Sequence, residues 1–238
     1  MKISDKLFLP LECFFFLSEI SKQFLLTFVL YGGKYNWWYF PFQLCSLPMY
    51  LLPVYLYSGR SLTRNRPPSD RSPGMPDSTS STSLRSSILT FFMTYSLLGG
   101  IAVFFDTSGM HYPLVLLTVH SYLWHILLIL LGIYSGYLLL QSGQTSWALF
   151  WKSTQLYGIF CLVAEFLNLA VSPFGDMNMF YINPFFRMEQ VFFCKIADHF
   201  GNTAGIISYL LGTILGSLLL FLAWRTLENR FGSKRGMP

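Results

Sequence analysis

Apolar runs of about 20 residues, the length a helix needs to cross roughly 30 Å of hydrocarbon, punctuate the chain and restrict its fold more than any other feature. They cover 7–31, 38–58, 87–105, 112–140, 147–171 and 204–224. A lipid interior offers no water to backbone N–H and C=O groups, so each run must close its own hydrogen bonds as a helix. The expectation is an all-α, polytopic transmembrane bundle of about six spans in a single domain over 1–238. Charged residues make up 11% of the chain, against about 25% in soluble domains, which excludes a soluble fold.

The fourth run exceeds what a bilayer requires, implying tilt or a protruding turn. Lys2, Asp5 and Lys6 precede the first run without a small-residue cleavage site after it, so it reads as a retained helix rather than a removed signal. The stretch 59–86, rich in Pro, Ser, Thr and Arg, cannot bury apolar surface and reads as a flexible cytoplasmic linker. In 172–203, aromatic and apolar residues interleave with Arg187, Glu189, Lys195 and Asp198. That pattern predicts an extracytoplasmic loop with a short interfacial or re-entrant segment before the last span.

Charge placement predicts the orientation. Lys2, Lys6, Arg60, Arg64, Arg66, Arg71, Arg85, Lys152, Arg225, Arg230, Lys234 and Arg235 fall on one side, with Lys34, Arg187 and Lys195 on the other. The positive-inside rule then puts both termini, including the basic tail 225–238, in the cytoplasm. The same signal serves plasma and endoplasmic reticulum membranes alike. The net charge of +5 is spread over span flanks, where it meets anionic lipid headgroups, so nucleic acid is not a predicted partner. Four cysteines without CxxC spacing indicate neither a disulfide framework nor a metal site. No phosphate loop or dinucleotide fingerprint is present, and no cofactor is implied.

Ionisable and polar residues at hydrocarbon depth are costly and each needs a reason. In the predicted topology Cys45, beside Gln43 and Ser46, His120 and His125, and Glu165 and Asn168 all fall in the outer half of the bilayer, with Asn178 in the loop that follows. A shared polar site there is geometrically allowed. A thiol with an imidazole in hydrogen-bond reach is the pairing used in covalent acyl transfer, and Asn168 or Asn178 is a candidate donor to an oxyanion. Inert packing is the structural alternative for Cys45. A place among headgroups is the alternative for His120, and an interhelical hydrogen bond for His125. The two histidines are offset by about 140° around a helix, which disfavours joint metal ligation. Glu19 lies near the middle of the first run and is three residues from Lys22, a spacing at which the two can pair.

These residues carry a resemblance. Glu19 in an early span, FPFQLCSL at 40–47, LVLLTVHSYLWHILLILLGIY at 114–134 and NLAVSPFGDMNMFYINP at 168–184 resemble the YwaF-like family of integral membrane proteins. Animal members of that family include an acyltransferase acting on ether phospholipids. The resemblance implies that Cys45 carries an acyl group, that His125, with His120 as a second candidate, moves its proton, and that Asn178 belongs to the site. Gln43 stands where the family pattern carries histidine.

Three function classes remain open. An acyltransferase would move a fatty acyl group between phospholipid and lysophospholipid, with Cys45, His125, His120 and Asn178 as catalytic residues and Gln43, Glu19, Glu165 and Asn168 in support. A transporter or channel would use Glu19, Glu165 and the histidines as a relay. A non-catalytic scaffold would use the linker and tail.

Overall fold

The computed structural model describes residues 3–64 and 79–235, and among these it contains helices and connecting turns with no strand. Helix α1 (Ile3–Phe24) continues as a π-helical stretch, Leu25–Leu30. Helix α2 is Leu47–Arg64. A third span is built from α3 (Thr79–Phe91), a π-helical segment Phe92–Ser96 and α4 (Leu97–Ala102). Helices α5 (Val115–Ser142), α6 (Trp147–Val171), the short α7 (Phe193–Phe200) and α8 (Asn202–Arg235) follow.

Five helices, Lys6–Leu30, Ser83–Phe105, Val115–Ser142, Trp147–Val171 and Asn202–Arg230, are long and apolar enough to cross a membrane. The chain is an all-helical, multi-pass membrane protein.

The run at 38–58 departs from expectation. Trp37–Tyr39 is an isolated 3-10 turn, Leu44–Ser46 is a second that runs directly into α2, and the apolar helix there spans only Leu44–Ser58. Pro41 supplies the reason: a residue preceding proline is pushed out of the helical region, and Phe40 has φ −55° and ψ 131°. Helix resumes at Leu47, where Pro48 in the first turn costs no intrahelical bond. Cys45 therefore sits in irregular backbone at the head of α2 rather than inside a regular span.

Helical backbone also takes both ends of the expected 59–86 linker, since α2 runs to Arg64 and α3 starts at Thr79. The centre of that linker, 65–78, lies outside the described residues. Likewise α8 continues to Arg235, through most of the expected tail.

The third span is the hub. It packs against α2, α5, α6 and α8, and 61% of its apolar window is buried against 17% for the first and last spans. Its core face is aromatic, with Phe91 stacked on Tyr95 at 5.2 Å and Tyr95 on Tyr157 at 4.8 Å. Thr90 and Thr94 donate to carbonyls one turn earlier at 2.8 and 2.6 Å, so their hydroxyls need no partner from lipid.

Helices α1 and α5 form an antiparallel seam. Phe8 meets Tyr134 at 5.4 Å and Phe15 meets Trp124 at 4.5 Å, so ascending positions on α1 match descending ones on α5. One turn beyond Phe15 lies Glu19, and one turn before Trp124 lies His120. Helix α7, the short segment expected before the last span, is seated on α8 by small residues. A methyl group at Gly205 would lie 2.6 Å from Ala197 Cβ, and one at Gly212 would lie 2.6 Å from the Phe193 ring.

Candidate functional site

The α1–α5 seam lies against the turn that holds Cys45. Trp124 ties the two together: its indole N–H donates to the Cys45 carbonyl at 3.0 Å. Its ring lies 4.5 Å from Phe15 on one side and 5.5 Å from His120 on the other. The 3-10 turn Leu44–Ser46 is thereby fixed against α5, and the partly buried Cys45 side chain is carried on a short rigid segment.

Glu19 supplies charge to the same seam. It is buried, pairs with Lys22 Nζ at 2.8 Å and accepts from Gln23 Nε2 at 2.7 Å. Gln23 also donates to the Tyr39 carbonyl at 2.7 Å, which docks the loop after α1 onto the pair. A buried carboxylate is tolerated when paired and hydrogen-bonded, and the i,i+3 spacing makes this partnership local. Lys22 acts electrostatically on Cys45, His120 and His125. Glu19 acts on Cys45, His120 and Tyr112. These side chains thus share one electrostatic neighbourhood.

The two histidines differ. His125 is buried, and its Nδ1 lies 2.7 Å from the Ser121 carbonyl. A carbonyl only accepts, so Nδ1 carries the hydrogen and Nε2 of the neutral ring is left with a lone pair. His120 is the exception in the seam: both ring nitrogens are shut off from solvent and neither has a hydrogen-bond partner. An unsatisfied buried polar group costs about 1–3 kcal/mol, a cost this ring shares with the hydroxyls of Ser96, Ser135, Tyr157 and Ser217. Among the described residues no group of three or more His, Cys, Asp and Glu side chains could hold a metal ion.

The asparagines and Gln43 do something else. Gln43 Nε2 donates to the Asn178 carbonyl at 2.9 Å, and its Oε1 accepts from the Phe180 N–H at 2.7 Å. Asn168, fully buried, accepts from the Met179 N–H at 2.6 Å and donates to the Met179 carbonyl at 3.1 Å. Its other contact is Glu165 at 3.4 Å. Asn178 Oδ1 accepts from the Asn183 N–H at 3.1 Å. Asn183 in turn donates to the Met177 carbonyl at 2.7 Å and accepts from the Phe185 N–H at 3.0 Å. Together these amides clamp the loop 177–185.

The clamp holds a strained turn. Phe180 and Tyr181 both have φ 57°, a left-handed conformation that costs a non-glycine residue roughly 1–2 kcal/mol. The strain inserts the fully buried Phe180 ring between Phe42 at 6.0 Å and Tyr157 at 6.1 Å. Gln43, Asn168 and Asn178 thus hold the loop 177–185 in place, and Glu165 touches this clamp through Asn168.

Sequence reasoning passed over Trp124, Gln23 and Asn183. Only Asn183 carried a local signal, since Asn-Pro marks a turn start. The cation at the margin of this loop is an ordinary surface pair: Arg187 contacts Asp198 at 2.6 Å, and that carboxylate holds the guanidinium above its usual range.

A multi-pass helical bundle with a buried thiol, an ion pair and an unpartnered imidazole in one seam is the class this geometry defines. The profile of the TMEM164 family matches residues 3–223, and the chain belongs to that family. This corrects the resemblance to the YwaF-like family. The motifs behind that resemblance are short and largely apolar, built from residues that most membrane helices use, and such stretches discriminate poorly between bundles. No curated protein and no solved structure matches the chain.

Proposed function

We propose that the chain is a membrane-embedded acyltransferase that moves a fatty acyl group between phospholipid and lysophospholipid through a thioester on Cys45. The observation that carries this reading is His120, a partly buried imidazole whose two nitrogens are shut off from solvent and unpartnered. It packs on the same Trp124 that holds the Cys45 backbone. In the first step the Cys45 thiol gives its proton to His120 and the sulfur attacks the ester carbonyl of a phospholipid. The carbon–oxygen ester bond breaks, and the departing lysophospholipid oxygen takes the proton back from the imidazolium. In the second step an acceptor hydroxyl gives its proton to His120 and attacks the thioester, and the departing sulfur recovers that proton as thiol.

Lys22, held in place by Glu19, presents positive charge to the oxyanion that develops at the carbonyl. His125 is the second imidazole, its ring oriented by Ser121. Asn178 acts from the clamped loop, its backbone carbonyl held by Gln43 and its Oδ1 by the Asn183 N–H. The acyl chains enter sideways from the lipid, which surrounds the bundle. The positive-inside distribution puts both termini in the cytoplasm and this site in the outer leaflet.

A relay through carboxylates is less well supported. Glu19 is engaged by Lys22 and Gln23, and Glu165 by Asn168.

Intact-mass measurement of the purified chain incubated with mixed phospholipids tests the proposal. A hydroxylamine-labile acyl adduct is expected on the parent and not on Cys45→Ser. Folded parent protein without an adduct across a broad lipid panel overturns it.

A further inference from the structure

A cavity lies at the other end of the bundle. It occupies about 580 Å³ between α3 and α6, within the range of ligand sites. Ser83 and Ser87, one turn apart on α3, leave the space because their side chains are small. Ile88 and Leu156 form its floor, while Lys152 and Gln155 stand at its edge. Lys152 is in the second turn of α6 and Asn168 in its last, so this groove lies about 24 Å along the helix from the clamp. The two sites therefore occupy opposite leaflets.

The groove opens sideways, where Leu84 and Ile159 are exposed on its rim, and in a bilayer the surrounding solvent there is acyl chain. Lys152 donates to the Ser83 hydroxyl at 2.5 Å, and no carboxylate among the described residues pairs with it. Trp147 and Trp151, both exposed on the same turns of α6, set this ammonium at headgroup depth, where tryptophans gather. Arg225 sits over the Trp147 ring at 5.3 Å, adding a second cation to that level. The nearest acid to this end of α6, Glu228, is turned to the Thr145 N–H at 3.4 Å.

We propose that this groove binds an anionic glycerophospholipid, its phosphate on Lys152 with the Ser83 hydroxyl, and one acyl chain along Ile88 and Leu156. The site is independent of the acyl transfer assigned to Cys45.

The test uses the full chain in phosphatidylcholine nanodiscs, doped with phosphatidylserine or phosphatidylcholine probes that carry a photoactivatable group on one acyl chain. Labelling of peptides containing Ile88 or Leu156 is expected to favour the anionic probe about fivefold, the ratio one lysine near an anionic headgroup supplies. Lys152→Gln, an exposed substitution that leaves the core untouched, brings the ratio to about one. Ser87→Trp fills the groove and removes labelling by both probes, while Cys45→Ser leaves all labelling unchanged. Equal labelling by the two probes in the parent, or a preference that survives Lys152→Gln, overturns the proposal. If Ser87→Trp fails to fold, the Lys152→Gln ratio alone decides.

Discussion

In the loop 177–185, Gln43, Asn168 and Asn183 each use both ends of an amide on backbone groups. In the α1–α5 seam, both ring nitrogens of the partly buried His120 are enclosed and bond to nothing. Both regions bury polar groups at the same end of the bundle, and both bear that cost. The clamp converts it into position, fixing two left-handed residues that no glycine relieves. The seam leaves it outstanding at His120. A polar residue inside a membrane bundle is thus read by what it touches more than by its type.

The contrast can be broken or sharpened by substitution. His120→Ala should slow formation of the Cys45 adduct by 100-fold or more, as loss of a general base does by about 10²–10⁴, with little change in melting temperature. Rapid-quench sampling of the intact mass separates the two effects. A fall in thermal stability with an unchanged adduct rate would make His120 a clamp residue too.

Asn168→Leu should do the reverse. It strands the Met179 N–H and carbonyl, each worth about 1–3 kcal/mol when buried and unpaired. Melting in detergent should show a loss of roughly 2–6 kcal/mol, with faster proteolysis of the loop. Gln43→Leu should give a smaller loss of the same kind, because Asn178 and Phe180 keep the Asn183 and core contacts. Its melting temperature should fall between those of parent and Asn168→Leu.

Gly132→Ala tests the hub independently of either region. The added methyl would lie 2.6 Å from Leu97 Cβ and 2.9 Å from the Phe92 carbonyl oxygen, and overpacking of this kind costs about 1–3 kcal/mol. Stability should drop while the ratio of adduct rate to folded fraction holds. At the small end, Arg187→Ala removes an exposed pair with Asp198 and should leave the melting temperature unmoved, since salt screens such pairs.

The spans were legible because a lipid core imposes one length and one hydrogen-bonding solution on every crossing segment. Where the helix bounds differ from the apolar run, a local rule outweighed the apolar count: in 38–58, Pro41 keeps the backbone ahead of it out of a helix and Cys45 sits in a 3-10 turn. The Glu19–Lys22 pairing was legible for a similar reason, being set by helical periodicity over three residues. Gln43 was not. Its partners lie 135 and 137 residues away, and beside Cys45 it had the look of a chemical residue. Asn168 and Asn178 had the same look, with nothing local to reveal that Met179 and Asn183 engage them.

By itself, then, the sequence determined the solvent this protein folds in, the helices that follow from it, and the pairs that lie within one turn. Those are consequences of composition and of a 3.6-residue period. Which polar groups are satisfied and which are left open was decided only by tertiary structure. It depends on which helix turns face each other, a register set here by Phe8 on Tyr134 and Phe15 on Trp124, contacts between segments more than 100 residues apart in the chain.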